Sequence, residues 1–175
     1  MSNYNTHDTC ISKIVQIAVY CRVERYPARG QYDLKIINAT YNRDNGNFNC
    51  MVKEAGTGKT LHTKSIGLTV LLKPSAPKIF PPTPVAIEGK PMNLTCSSTG
   101  GSPPPQIRWY REGQSQLLES TMIIGANKDE ASRSVLTILP HKNTDGATYR
   151  CTVWNRALGQ HQKLETRTSL TVNCT

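Results

Sequence analysis

The stretch AGTGKT, at residues 55–60, contains the residue types that bind nucleotide phosphates. A glycine-rich turn ending in Gly-Lys-Thr can present backbone N–H groups and a lysine to phosphate oxygens. A complete phosphate-binding loop starts with a glycine five positions before Gly58, and that position is Lys53. The loop must also open a helix, whereas the next segment, LHTKSIGLTVLL, has the alternating pattern of a strand. We therefore expect a hairpin turn here and no nucleotide partner.

The remaining reactive side chains form no catalytic or metal-binding pattern. No Cys-x-x-Cys pair and no Gly-x-Ser-x-Gly motif occur, and the histidines are scattered at positions 7, 62, 141 and 161. The sequence predicts a protein that is not an enzyme and has no catalytic residues, no metal and no cofactor. Six cysteines in a strand-rich chain indicate an oxidising compartment.

The formal net charge is +9, from 21 basic and 12 acidic residues. A basic chain can bind nucleic acid or acidic glycans. These charges are dispersed, with no run of five basic residues, which favours a solvated surface and no nucleic acid partner. A basic glycan-binding module stays open as an alternative. The longest apolar run, residues 14–21, is far shorter than the roughly 20 residues of a membrane span, so no direct membrane insertion is expected.

The chain contains an internal repeat. YDLKIINATYNRDNGNFNC, residues 32–50, aligns with SVLTILPHKNTDGATYRC, residues 134–151. Each copy opens with Leu-x-Ile, passes an Asp after a polar connection, and ends with aromatic-x-Cys. The period of about 100 residues indicates two copies of one unit.

Alternation along the second copy defines an interior. Residues i and i+2 of a strand share a face, so each strand contributes one apolar set to a two-sheet sandwich. The 55-residue gap from Cys96 to Cys151 suits a bridge between the sheets, against which Trp109 would pack. The inward residues expected on these strands are Met92, Leu94, Cys96, Ile107, Trp109, Leu136, Ile138, Tyr149, Cys151 and Val153.

Residues 77–173 resemble an immunoglobulin-like domain. Cys96, Trp109 and Cys151 follow the Cys…Trp…Cys order of that family. DGATYRC, residues 145–151, resembles its Asp-x-Gly-x-Tyr-x-Cys signature, with Ala where Gly is usual. The resemblance implies an all-β, antiparallel sandwich of the I-set or C2 type with a Cys96–Cys151 disulfide. Its core signature residues would be Trp109, Leu136, Asp145 and Tyr149.

The first copy is expected to be partial, because no Trp and no Cys at the family's spacing precede Cys50. The predicted organisation is a non-homologous or disordered segment at 1–30, the C-terminal half of an immunoglobulin-like domain at 31–73, a proline-rich joint at 74–82 and a complete domain at 77–173. A rival interpretation is a shrunken domain in which Cys10 or Cys21 pairs with Cys50. The pairing of Cys174 is also left open.

The segments YDLKIINATYNRDNGNF and CSSTGGSPPPQIRWYREG most resemble the first domains of echinoid-type insect cell-adhesion proteins. That resemblance implies the extracellular part of a cell-surface membrane protein, with an anchor outside these residues. It also implies adhesion to itself or to related immunoglobulin-superfamily proteins. The alternative is a soluble secreted ligand or decoy.

Two sets of surface residues complete the predicted sites. The Asn-x-Thr sequons at Asn38, Asn93 and Asn173 predict a glycoprotein. Since Trp109, Cys151 and Val153 face inward, their strand neighbours should face solvent on one sheet. Exposed Trp, Tyr and Arg are residue types that anchor protein interfaces. The predicted interface residues are Arg108, Tyr110, Thr152 and Trp154.

Overall fold

The computed structural model describes residues 7–10, 20–159 and 162–173. The chain divides into two compact units, residues 1–70 and 71–175. Helical structure in the described ranges is limited to one four-residue helix, α1 (Tyr41–Asp44), and the 3-10 turns Pro27–Arg29 and Lys142–Thr144. The predicted all-β fold is confirmed.

The first unit contains five described strands in two sheets. One sheet has the order β1-β4-β5, and the other is the antiparallel pair β2-β3. Alternation in β3 gives half-buried residues at every second position, as the Leu-x-Ile pattern predicts. The bounds are β1 (His7–Cys10), β2 (Cys21–Tyr26), β3 (Gln31–Ile36), β4 (Gly46–Lys53) and β5 (Thr60–Leu68).

The AGTGKT stretch lies in the turn between the antiparallel strands β4 and β5. Gly56 and Gly58 have φ values of 88° and 70°, which L side chains rarely adopt. The Gly58 amide donates to the Glu54 carbonyl at 3.0 Å, and the Glu54 amide donates to the Lys59 carbonyl at 2.8 Å. The glycines therefore reverse the chain, and a strand rather than a helix follows them.

Parts of the segment at 1–30, which the sequence predicts to be non-homologous or disordered, form strands. β2 pairs with β3 over its whole length, from Cys21 opposite Ile36 to Tyr26 opposite Gln31. The two are joined by the Pro27–Arg29 turn, which Gly30 closes at φ 62°. β1 pairs with β4. Residues 1–6 and 11–19 lie outside the described residues, and the absence of homology in this segment stays a prediction.

The interior between the two sheets is only partly filled by the described residues. Among residues 20–70, Asp44 alone is buried, and the apolar side chains of β2 to β5 are half-buried or exposed. A cavity of about 400 Å³ lies between the two sheets. It is lined by Cys21, Arg22, Val23, Tyr32, Leu34, Phe48, Asn49, Cys50, Val52, His62, Lys64 and Ile66.

Two cysteines of the first unit, Cys21 and Cys50, line this cavity. β1 places residue 10 opposite Cys50 in the antiparallel pair. Cys21 lines the cavity and has a free thiol, so the structure does not form the Cys21–Cys50 alternative. The Cys10–Cys50 alternative stays a prediction, and Cys174 lies outside the described residues.

The second unit is a sandwich of two antiparallel sheets. One has the order β11-β10-β14-β15; the other has the order β12-β13-β9-β6, with β7 also paired to β9. β8 and β16 form a parallel pair. The bounds are β6 (Leu72–Pro74), β7 (Lys78–Phe80), β8 (Val85–Ile87), β9 (Met92–Ser102), β10 (Gln106–Arg111), β11 (Leu117–Leu118), β12 (Thr121–Ile123), β13 (Ala131–Ile138), β14 (Thr148–Trp154), β15 (Leu164–Ser169) and β16 (Thr171–Asn173).

A disulfide crosses the core of this sandwich, joining Cys96 on β9 to Cys151 on β14. Trp109 is completely buried in the same core, and its Nε1 donates to the Ser134 carbonyl at 3.4 Å. The core contains Ala86, Leu94, Cys96, Ile107, Trp109, Leu136, Ile138, Tyr149, Cys151, Val153, Leu170 and Val172. Alternate residues of each strand therefore point into a closed core. The residues between them point to the outer face of their sheet.

The division between the units falls between Val70 and Leu71, upstream of the predicted joint at 74–82. The reason is β6, which pairs with β9 through Leu72 opposite Ser102 and Pro74 opposite Gly100. Asn155 fixes the same strand, since its side-chain amide donates to the Leu72 carbonyl at 2.7 Å. The second unit thus includes residues that the sequence assigns to the first domain and the joint.

Candidate functional site

The outward face of the β11-β10-β14-β15 sheet carries a concentration of aromatic and charged side chains. We call this surface, formed by residues of β10, β14 and β15 and their adjoining loops, the outer sheet face. Register places Arg108 opposite Thr152 and Tyr110 opposite Arg150. It also places Thr152 opposite Glu165 and Arg150 opposite Arg167. The three strands therefore present their outward residues in cross-strand rows.

A shallow groove of about 200 Å³ lies at one end of this face. Its lining residues are Gln106, Arg108, Thr152, Trp154 and Lys163. Trp154 is half-buried, and its indole Nε1 donates to the Gly159 carbonyl at 3.5 Å. This bond ties the ring to the loop that follows β14, so the indole presents a fixed apolar surface beside two cationic side chains.

Thr152 corrects the predicted interface. It was expected to face solvent, but only 6% of its surface is exposed. Alternation does turn its side chain outward, where longer neighbours on both adjoining strands surround it. Its Oγ1 lies 3.5 Å from the Arg108 carbonyl, to which it donates. Thr152 forms part of the groove floor, whereas Arg108 is exposed and Tyr110 and Trp154 are half-buried.

A cluster of four ion pairs occupies the other part of the outer sheet face. Arg167 donates from Nη2 to Glu165 at 2.6 Å and from Nε to Glu112 at 3.1 Å. Arg150 lies 3.3 Å from Glu112 and 3.4 Å from Glu165, measured between the paired nitrogen and oxygen atoms. Two guanidinium groups and two carboxylates thus neutralise one another. We call these residues the charge cluster.

The charge cluster is held in position by its own electrostatics and by an aromatic ring. The hydrogen bond to Glu112, together with the charge of Glu165, raises the pKa of Arg167 above its ordinary value. The Arg150 guanidinium lies over the Tyr110 ring, 5.2 Å from its centroid, within cation–π range. Exposed ion pairs contribute only about 0–1 kcal/mol to stability each. The cluster therefore matters more for the shape and charge of the surface than for folding.

The predicted core signature residues lie behind this face. Leu136 and Tyr149 are buried, and burial raises the pKa of the Tyr149 phenol. Asp145 is exposed, and its Oδ1 accepts a hydrogen bond from the Val172 amide at 2.8 Å. This bond connects the start of the β14 segment to β16.

The three predicted glycosylation sites are exposed asparagines in the structure. Asn38 adopts a left-handed conformation at φ 49° in the loop before α1. Asn93 lies on β9, where its side-chain oxygen accepts a bond from the Thr137 hydroxyl at 2.8 Å. Asn173 ends β16. Attachment of glycans at these sites stays a prediction.

Sequence reasoning missed the charge cluster and Lys163. The Glu-x-Arg spacing of Glu165 and Arg167 carried a signal, since alternation puts both on one face of β15. What the sequence did not provide was the register between β14 and β15, which brings them next to Arg150.

The described residues contain no cluster of three or more His, Cys, Asp or Glu side chains able to hold a metal ion. In the same ranges, no helix is both long enough and apolar enough to span a membrane.

Residues 73–155 match the immunoglobulin domain family. The disulfide between the sheets, the buried Trp109 and the sandwich architecture agree with this match. The second unit is therefore an immunoglobulin-like domain. About three quarters of the chain is similar to cell-adhesion proteins of the immunoglobulin superfamily.

Among these relatives, human Kin of IRRE-like protein 2 is 32% identical over 137 residues, covering 75% of this chain and 18% of that protein. Junctional adhesion molecule A from Rattus norvegicus is 43% identical over 75 residues, covering 43% of this chain and 24% of that protein. The crystal structure of Rst D1-D2 aligns with a TM-score of 0.63 and 25% identity, covering 88% of this chain and 75% of that one. The chain thus spans about a fifth of the length of the curated relatives it matches.

Proposed function

We propose that this chain is an extracellular part of a cell-surface adhesion protein, and that its outer sheet face binds another immunoglobulin-superfamily protein. Similarity to adhesion proteins supports the class of function. The observation that carries the choice of surface is the juxtaposition of the half-buried Trp154 with the cations Arg108 and Lys163 around one groove.

The size of the groove favours a protein partner over a small molecule. Pockets for drug-sized ligands measure roughly 300–1,000 Å³, whereas this groove measures about 200 Å³. That volume suits a side chain projecting from an opposing protein surface. Trp, Tyr and Arg dominate the energetics of protein interfaces, and all three types are present on the outer sheet face.

The charges indicate what the opposing surface carries. The charge cluster is internally neutralised, so the partner need not compensate its four ionised groups. The Arg108 guanidinium donates a hydrogen bond to the neutral Gln106 side chain at 3.3 Å, and Lys163 adds a second positive charge to the groove. An acidic side chain of the partner therefore fits beside Trp154. Binding to a second copy of this chain, which the echinoid-type resemblance implies, is part of this proposal.

The finer assignment to echinoid-type adhesion proteins is part of this proposal. It is supported by the amino-acid sequences of residues 32–48 and 96–113. A longer transcript tests it: an upstream cysteine and tryptophan at the family's spacing, and a membrane span downstream, are the expected findings. A secreted ligand is favoured instead if the transcript ends without an anchor.

The binding proposal is tested by displaying the 175-residue chain on beads and measuring their adhesion to cells that present immunoglobulin-superfamily proteins, including this one. We expect Trp154→Ala to weaken binding about 30-fold, the effect of losing an interface anchor worth about 2 kcal/mol. Phe80→Ala is the control, since Phe80 is 72% exposed on β7, outside the outer sheet face. Equal binding by the Trp154→Ala and unsubstituted chains would overturn the choice of surface.

A further inference from the structure

The strand β12 forms an unprotected edge of the second unit. It stands at the end of the β12-β13-β9-β6 sheet, and in the described structure it pairs only with β13. Its outer edge therefore has backbone N–H and C=O groups without a strand partner. The apolar side chains here are also open to solvent, with Met122, Ile123 and Ile124 exposed by 36%, 52% and 61%.

Three other edge strands of this sandwich carry features that discourage pairing. β6, at the opposite end of the same sheet, contains Pro74, which lacks an N–H donor. β15 carries Glu165 and Arg167, and β11 is only two residues long. Prolines, charges and shortness are the usual protections of edge strands. β12 is short, but it lacks the other two protections. Residues 120–127, STMIIGAN, contain no ionisable side chain and no proline.

We propose that the outer edge of β12 pairs with the same edge of a second copy of this chain. Two identical strands can pair antiparallel about a twofold axis, because the pattern of donors and acceptors along one edge complements its own copy. The uncharged stretch places no like charges opposite one another in such a ladder, where they would be destabilising. Met122 and Ile123 would then lose solvent contact in both copies.

This surface is distinct from the outer sheet face, since β12 belongs to the other sheet of the sandwich. A three-residue strand makes a small contact, which places the association among weak and transient interfaces. Pairing through β12 therefore uses a different surface from the Trp154 groove, which stays open for the partner of the outer sheet face.

The test is sedimentation velocity of the full chain over a wide concentration range, comparing Ile123→Lys with Leu139→Lys. Both positions are 52% exposed aliphatic residues of the second unit, but Leu139 lies outside β12. We expect the unsubstituted chain and Leu139→Lys to form dimers, and Ile123→Lys to raise the dimer dissociation constant at least about tenfold. Thr121→Lys is a second variant on the same strand, in case Ile123→Lys fails to fold.

Hydrogen exchange locates the contact. Amides of residues 121–124 should become more protected as the concentration of the unsubstituted chain rises, and those of the Ile123→Lys variant should not. The proposal is overturned by a chain that stays monomeric at every concentration. It is equally overturned by dimers that Ile123→Lys and Thr121→Lys leave intact, or by protection confined to the first unit.

Discussion

The two units carry the same repeated pattern of strands, yet among the described residues it is the second unit that encloses a core. Leu34 and Leu136 occupy matching positions of the repeat, as do Phe48 and Tyr149. In the second unit these positions are buried, whereas in the first they are half-buried around a cavity of about 400 Å³. Alternation therefore suffices to make strands pair, but it does not by itself exclude water.

The difference follows from which strands surround the matching positions. β13 lies between β12 and β9, and β9 supplies the completely buried Leu94 and Cys96. β3, its counterpart in the first unit, pairs only with β2 in the described part of the chain. In the described part of the first unit, β3 thus has one strand neighbour where β13 has two, and side chains left without neighbours forfeit dispersion contacts.

The largest expected change in the stability difference between the two units comes from removing the Cys96–Cys151 disulfide. Replacing both residues by alanine should lower the free energy of unfolding of the second unit by about 4 kcal/mol, the chain-entropy value for a loop of this size. Both tryptophans, Trp109 and Trp154, lie in the second unit, so denaturant unfolding followed by tryptophan fluorescence reports on it alone.

The control is Cys21→Ala, which replaces a free thiol of the first unit and should leave that transition unchanged. If the double alanine variant unfolds at the same denaturant concentration as the unsubstituted chain, the bridge is not what separates the stabilities of the two units.

A second test compares the aromatic residues at matching positions. Tyr149→Ala should cost the second unit about 3–5 kcal/mol, as for other large-to-small core substitutions. Phe48→Ala should cost the first unit at least about 2 kcal/mol less, because Phe48 is half-buried and already lines a cavity. Hydrogen exchange of β13 and β3 amides measures each unit separately. Equal losses of protection would show that the first unit has a packed core.

Much of the second unit could be predicted from the sequence, because burial there follows strand alternation. Leu136, Ile138, Tyr149, Cys151 and Val153 are all buried as predicted. Alternation gives the direction of a side chain but not the size of its neighbours, which is why Thr152 points outward and is nevertheless buried.

Two features could not be predicted from the sequence, for different reasons: the strands of the N-terminal segment and the charge cluster. CRVERY alternates only weakly, and its strand conformation depends on pairing with β3 through a turn. The charge cluster depends on the register of three strands and on the position of Glu112 after β10. Both features depend on tertiary contacts, which local secondary-structure propensity does not determine.

The smallest difference to test lies at the matching aspartates Asp44 and Asp145. Asp44 is 3% exposed, and its carboxylate accepts bonds from the Thr40 amide at 2.7 Å and from the Arg43 Nε at 2.8 Å. Hydrogen bonding from Arg43 holds the pKa of Asp44 below its ordinary value. A carboxyl whose pKa is lowered by folding stabilises the protein above its unfolded pKa, and this contribution is lost as the pH falls through the folded pKa.

Asp44→Asn should therefore lower the stability of the first unit by about 1–2 kcal/mol at neutral pH, since a hydrogen bond to a charged group is lost. It should also flatten the acid-induced loss of stability below about pH 4, the ordinary range of an aspartate. Exchange protection of β3 amides, followed from neutral to acidic pH, measures both effects. Asp145→Asn is the matched control and should leave β3 unaffected, because Asp145 is exposed and bonds to Val172 within the second unit. An unchanged acid profile in the Asp44→Asn variant would mean that another group controls the acid stability of the first unit.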